Sequence, residues 1–352
     1  MNQDHRFLRV VEYSNHCVKL ILVTVVLAAA TLCALPFLSE RWDKVDQASL
    51  NMPVQKIAEV PPAVWAPPDS LAIPETAEGD LIRYGRELVA RTSLYLGPSG
   101  KALQISNGMN CQNCHLKAGK KIFGNNYSAV SSTYPKFRAR SGGIETIEKR
   151  VNDCIERSLN GRPLKAGSRE LKAFVAYISW VGKDVEKGVT PRGAGLWDLP
   201  LLERAASPEK GFVVFENHCA HCHGKDGMGM KYENSEEWKY PPLWGEFSYN
   251  TGAGLFRLSR LAGYVKANMP NGATFDNPTL TDEEAWDVAA YVNSMPRPHK
   301  TFSADWPDIA AKPFDHPFGP YADGFTERQH KLGPFAAIKK SKTTTAAASP
   351  KK

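Results

Sequence analysis

Two pentads in this 352-residue chain carry a recognisable chemistry: Cys111-Gln112-Asn113-Cys114-His115 and Cys219-Ala220-His221-Cys222-His223. Cys-X-X-Cys-His is the attachment pattern of c-type haem. Two residues between the thiols let one turn of chain span one porphyrin edge, and the histidine supplies the proximal iron ligand. Two pentads about a hundred residues apart predict two covalently bound haem c groups in two similar domains. Their attachment residues are Cys111, Cys114, Cys219 and Cys222, and their proximal ligands are His115 and His223. A zinc site or a redox Cys-X-X-Cys is the alternative. It lacks a second Cys pair to complete a zinc set, and it leaves the adjacent histidine unexplained in both copies.

Each haem then needs a distal ligand late in its domain, commonly Met. In the second half Met269 stands in Asn268-Met269-Pro270-Asn271-Gly272, 46 residues after His223, and is the candidate. Met228 and Met230 lie too close to the pentad, and Met295 lies beyond the closing helix. Between His115 and His218 there is neither Met nor His. The soft ligand present is Cys154; lysine, water or an open site are the alternatives, as is a buried small hydrophobe. Aligning Asn160-Gly161 with Asn271-Gly272 sets Met269 opposite Ser158, one helical turn from Cys154. A thiolate on iron lowers the haem potential and puts a nucleophilic sulfur beside a one-electron acceptor, which suits sulfur chemistry better than electron relay.

The elements that position these residues repeat. Each half opens with a helix carrying a mid-helix glycine (Gly85, Gly211) and closes with one holding an Ala-Tyr pair (Ala176-Tyr177, Ala290-Tyr291). Thr281 and Glu284 form a capping box on the second closing helix. The expected fold is mainly α: two tandem class I cytochrome c domains behind an N-terminal membrane segment. Ile144, Ile147, Val151, Ile155 and Leu159 make an apolar stripe at helical spacing. Arg150, Cys154, Arg157 and Ser158 share another face, with Lys136, Arg138 and Arg140 just before. These cations read either as an anion pocket or as a solvated face and haem-propionate contacts.

The expected organisation is a cytoplasmic N-terminus (1–19), a transmembrane anchor or signal segment (20–38), a Pro-rich spacer (39–75) and cytochrome c domain 1 (76–190). A linker (191–205), cytochrome c domain 2 (206–300) and a C-terminal extension with a basic disordered tail (301–352) follow. Residues 20–38 hold no charge over 19 positions, near the length that spans a bilayer, and His5, Arg6, Arg9 and Lys19 precede them. An uncleaved anchor is favoured over a cleaved signal peptide; either way the haem domains face the periplasm, anchored to the inner membrane or soluble. The net charge is +7, of which residues 326–352 supply +6, so the rest is nearly neutral. No nucleic-acid partner is expected, and the tail reads as solubilising more than polyanion-binding.

The segment Arg150-Val151-Asn152-Asp153-Cys154-Ile155-Glu156-Arg157-Ser158-Leu159-Asn160-Gly161 resembles the Cys-ligand segment of dihaem thiosulfate dehydrogenases. The likeness runs over roughly 75–300, through the Met269 loop to Ala289-Ala290-Tyr291-Val292-Asn293-Ser294-Met295-Pro296-Arg297-Pro298. It implies oxidative coupling of two thiosulfates to tetrathionate, reversible in some members, with electrons passed to a periplasmic cytochrome c or a respiratory oxidase. Cys154 carries over as axial ligand and catalytic sulfur, and Arg140, Arg150 and Ser158 as substrate-anion contacts. Some relatives hold a lysine beside the methionine ligand, able to exchange with it; Asn268 stands there in this chain. Two readings without substrate turnover remain beside this one: a dihaem electron carrier, which two His/Met haems would suit, and the haem subunit of a larger sulfur-oxidising complex.

Overall fold

The computed structural model describes residues 12–33 and 63–348, which fall in two units divided after Pro61. In the first unit, helix α1 (Glu12–Cys33) is 22 residues long and apolar enough to cross a membrane. Its length of about 33 Å matches a hydrocarbon core of about 30 Å. The hydroxyls of Thr24 and Thr31 donate back to the carbonyls of Leu20 and Leu27, which hides both in the helix's own backbone. The helix starts earlier than the uncharged stretch; residues 34–38 of that stretch lie outside the described residues.

The second unit holds two helical crossings of the same design. In the first, α2 (Ala77–Ala90) packs on α7 (Arg169–Val181), with Thr76 and Ser168 capping their starts. Gly85 lies at the crossing: a Cβ there would stand 2.0 Å from the Ala173 carbonyl oxygen. Leu171, Phe174, Ile178 and Val181 of α7 are buried at helical spacing against Ile82, Leu88 and Val89 of α2. The second crossing pairs α8 (Pro208–His218) with α11 (Asp282–Ser294), where a Cβ on Gly211 would stand 1.9 Å from the Asp287 carbonyl oxygen. The Thr281–Glu284 capping box is formed. Short turns α3 (Thr92–Leu96), α4 (Leu116–Gly119), α5 (Val130–Thr133) and α9 (Ala220–His223) frame the pentads. The first domain adds α6 (Ile147–Ser158) behind a hairpin of β1 (Lys136–Arg138) and β2 (Gly143–Glu145). The second adds β3 (Met230–Lys231), β4 (Trp238–Tyr240) and α10 (Leu258–Asn268). The extension contributes α12 (Glu327–Leu332) and α13 (Ala336–Ala348).

Four local expectations change. Ile144 does not continue the α6 stripe; it sits on β2 opposite Phe137 and is 69% exposed, because the helix starts after Thr146. The spacer is packed where it is described: Trp65 and Ile73 are buried, and the Trp65 amide donates to the Arg192 carbonyl at 2.9 Å. The linker is packed too, with Trp197 between Phe123 and Phe275 and the Trp286 indole donating to the Pro200 carbonyl. The tail is helical through Ala348 rather than disordered, since Phe335 and Ile338 are buried in the second core and anchor α13.

The two haem domains share an extensive polar seam. Tyr264 donates its hydroxyl to the Asn113 carbonyl at 2.8 Å. Asn250 donates to the Glu156 carbonyl, Asn107 to the Ser248 carbonyl, and Arg91 pairs with Glu237. Cys114 packs against both hydrophobic cores.

Candidate active site

The first pentad begins on a tight turn, Cys111–Asn113, whose backbone is pinned from outside. Thr92 accepts from the Cys111 amide at 2.9 Å, and Asn113 accepts from the Asn110 amide at 2.7 Å. The Asn125 carbonyl accepts a hydrogen bond from Nδ1 of His115, and the Pro241 carbonyl accepts one from Nδ1 of His223 at 2.8 Å. A proton held on Nδ1 leaves the Nε2 lone pair for a metal. The same device in both halves fits a proximal iron ligand.

A cavity of about 450 Å³ brings together Cys111, Cys114, His115, Arg150, Cys154 and Ser158. Its three thiols are not equivalent. Burial pushes Cys111 and Cys114 up to about 12. Burial acts the same way on Cys154, but the Arg150 guanidinium and the adjacent His115 side chain outweigh it and bring the thiol down to about 7. The Arg150 guanidinium in turn is raised, chiefly by Cys154. Cys154 is thus the thiolate-prone sulfur of the cavity, and it lies beside the proximal histidine. The donor set fits a c-type haem: Cys111 and Cys114 to bind it covalently, and His115 and Cys154 as axial ligands.

Helix α6 presents Arg150, Cys154 and Ser158 to this cavity at four-residue spacing. Lys136 and Arg138 reach it from the hairpin. Arg157 does not. Its side chain turns to the extension, giving two bonds of 2.7 Å to Asp305 and a contact of 3.6 Å beneath the Phe302 ring. Arg140 lies apart as well, lining a neighbouring cavity of about 480 Å³ and standing over the Trp306 ring. Arg260 is the residue that sequence reasoning missed. It comes from α10 of the second domain and lines the Cys154 cavity, with the exposed Asp198 as its ion-pair partner at 3.3 Å.

In the second domain His223 is buried, and burial raises Cys219 to about 11. Met269 ends α10 and packs, half-buried, against the second core. Met228 and Met295 pack against that core too, while Met230 is exposed. Asn268, 1% exposed, donates its amide to the carbonyls of Phe123 and Tyr264 and so is committed to the domain seam.

Comparison with known proteins agrees with this geometry. The family model for the cytochrome c domain of SoxA/TsdA matches residues 101–186, and that for cytochrome c matches residues 208–296. These matches identify two cytochrome c domains that bind c-type haem. A thiosulfate dehydrogenase of Allochromatium vinosum is 37% identical over 246 residues, covering 68% of this chain and 87% of the relative. One of Psychrobacter arcticus is 35% identical over 244 residues, covering 68% of this chain and 71% of its own. Among solved structures, a thiosulfate dehydrogenase (TsdBA) of Marichromatium purpuratum in its as-isolated form superposes with a TM-score of 0.62 at 32% identity. That match covers 67% of this chain and spans half the length of the Marichromatium chain. Two cytochrome c halves and this degree of identity lead to one conclusion: the chain belongs to the thiosulfate dehydrogenase family.

Proposed function

We propose that this protein is a two-haem thiosulfate dehydrogenase that couples two thiosulfates into tetrathionate. The observation that carries the reading is geometric: Cys154, with Arg150 and Ser158 one turn before and after it on α6, lines the same cavity as His115 and the first pentad's thiols. An electron relay needs no such sulfur. Two haems, which Cys111, Cys114 and His115 and then Cys219, Cys222, His223 and Met269 would hold, would supply two one-electron acceptors.

The chemistry assigned to the chain's own residues balances as follows. The Cys154 thiolate and the outer sulfur of one thiosulfate form an S–S bond with loss of two electrons, giving Cys–S–S–SO₃⁻. A second thiosulfate attacks the sulfur that carries the sulfonate. The new S–S bond completes tetrathionate, the bond to Cys154 breaks, and the thiolate is restored with no net proton transfer. Arg150 stabilises the thiolate in both states and offers a planar donor fork to the sulfonate. Ser158, which lines the same cavity, donates a hydrogen bond to it. Lys136, Arg138 and Arg260 offset the repulsion between incoming dianions. Run backwards, the same steps cleave tetrathionate, and the haem potentials set the direction.

Electrons leave through the second domain to a periplasmic cytochrome c or a respiratory oxidase. Helix α1 holds the enzyme at the inner membrane, facing the periplasm. The test is ferricyanide reduction by purified protein supplied with thiosulfate, beside Cys154→Gly and Cys154→Met. The expected result is loss of turnover in both variants with both haems retained and tetrathionate formed by the wild type alone. Full turnover in Cys154→Gly overturns the assignment.

A further inference from the structure

We infer that residues 302–307 of the C-terminal extension form a strap that sets the hairpin wall of the Cys154 cavity, with Trp306 as its positioning residue. The inference rests on the function proposed above and adds to it what holds two of the cavity's cations in place. Lys136 and Arg138 reach that cavity from β1, while Arg150, Cys154 and Ser158 reach it from α6. The α6 wall is a 12-residue helix packed on α7. The hairpin wall is weaker. It pairs three residues with three, and its Phe137 and Ile144 are exposed. A two-stranded hairpin is marginal in water by itself. The place of Lys136 and Arg138 therefore depends on what grips the turn between the strands.

Inside the turn, the amides of Ser141 and Gly142 donate to the Arg138 carbonyl at 3.2 and 2.9 Å. The Arg140 carbonyl instead accepts from the Trp306 amide at 2.6 Å. A Cβ on Gly142 would stand 2.5 Å from the Pro307 ring, so turn and strap touch at a second point. The strap is itself fixed to α6. Both Asp305 oxygens accept from Arg157, and the Asp305 amide donates to the Phe302 carbonyl at 3.0 Å. Farther along the extension, Asp315 accepts from Arg257 and from the Ser259 amide at the start of α10. Trp306 lies between these anchors with φ +60°. A bulky side chain rarely takes the left-handed region, and a residue before proline is pushed toward extended backbone. Such a conformation persists where its surroundings over-determine it. Here they are the Arg140 carbonyl, the Arg157–Asp305 pair and the His316 ring, whose centre is 5.3 Å from that of Trp306. One short segment thus grips both walls of the cavity and sets where β1 stands against α6.

The test uses the full-length, haem-loaded protein and two variants that alter the strap and leave the hairpin sequence intact. Trp306→Pro removes the amide and forces φ to about −65°. Asp305→Ala frees the strap from α6. In each, amide hydrogen exchange read by mass spectrometry is expected to speed up about tenfold or more over residues 136–145, with the α2–α7 crossing as protected as in the wild type. KM for thiosulfate is expected to rise about tenfold with kcat within about threefold, because two cations leave their places while Cys154 and Arg150 keep theirs. Both haem spectra should stay unchanged, which a general loss of structure would not allow. Trp306→Gly keeps the amide donor and takes φ +60° without strain, so it should restore most of both readouts. Wild-type exchange over 136–145 in both Trp306→Pro and Asp305→Ala overturns the inference. Faster exchange with unchanged KM overturns it too, as do equal losses in Trp306→Gly and Trp306→Pro. Faster exchange over 136–145 in a protein that never oxidises thiosulfate supports the strap and refutes the function above.

Discussion

Replacing Asp305 with Ala should release the C-terminal extension from α6. The Arg157 side chain is 6% exposed and that of Asp305 is 20% exposed. Two bonds of 2.7 Å join them, Phe302 covers the guanidinium at 3.6 Å, and Arg157 Nε already lacks a partner. Removing the carboxylate therefore strands a buried cation against an aromatic face. Breaking a buried pair from one side costs about 3–5 kcal/mol, and the partly wet carboxylate argues for about 3. At about 1.4 kcal/mol per decade that is roughly a hundredfold more of the opened extension. Limited trypsin digestion under native conditions reads this population directly when reclosing outpaces cleavage. Arg157→Met should cost less, about 1–2 kcal/mol, because the released Asp305 can turn to water. In the Arg157→Met background, Asp305→Ala should add almost nothing, so the cycle shows strong coupling. Cleavage of Asp305→Ala at the wild-type rate, or equal effects of Asp305→Ala in both backgrounds, refutes the clamp.

Two further outcomes follow from the same coordinates. Burial pushes His316 from 6.5 to about 4 among Lys312, Arg140 and Arg257, so the unfolded chain takes up its proton first as pH falls. The stability His316 contributes is therefore complete above about pH 6.5 and lost progressively toward pH 4, up to about 3 kcal/mol. His316→Gln should flatten that acid slope in melting temperature between pH 7 and 4, and an unchanged slope would count against its burial as the neutral form. Gly85→Ala and Gly211→Ala each drive a methyl into a backbone carbonyl, at 2.0 and 1.9 Å respectively. Neither helix can yield without opening its crossing, so each should cost about 3 kcal/mol or more in thermal unfolding, and wild-type melting of either variant would mean the crossing is not as drawn.

What was legible in the sequence is what the chain writes locally. The pentads, the missing methionine of the first half, Cys154, the crossing glycines and the α6 face all lie within a few turns of the motifs that expose them. Periodicity revealed which face of α6 is apolar, but not what covers its other sides. Arg157 seemed to share the Cys154 face because position along a helix sets direction only to within a side chain's reach. Asp305 and Phe302, about 150 residues later, decide where it goes. Arg260 was invisible for the same reason, since its spacing places it on α10 while the cavity it lines belongs to α6. Trp65 and Ile73 were hidden by prolines, which erase the period that would have marked two isolated anchors as buried.

Helix α10 explains why the two haem domains behave as one device. Arg260, Tyr264 and Asn268 recur at four-residue intervals and form one stripe. Each member of the stripe serves the first domain: Arg260 lines the Cys154 cavity, Tyr264 bonds the Asn113 carbonyl inside the first pentad, and Asn268 bonds the Phe123 carbonyl. Leu258, Leu261, Ala262 and Val265 of the same helix, and the ring of Tyr264, pack into the second core. The next residue after Asn268 is Met269, the candidate distal ligand of the second haem. Nine helical steps at 1.5 Å put Arg260 about 13.5 Å from Met269 along the axis. One helix thus joins the wall of the Cys154 cavity to the Met269 loop. A change that tilts α10 should therefore disturb the Cys154 cavity and the Met269 loop together.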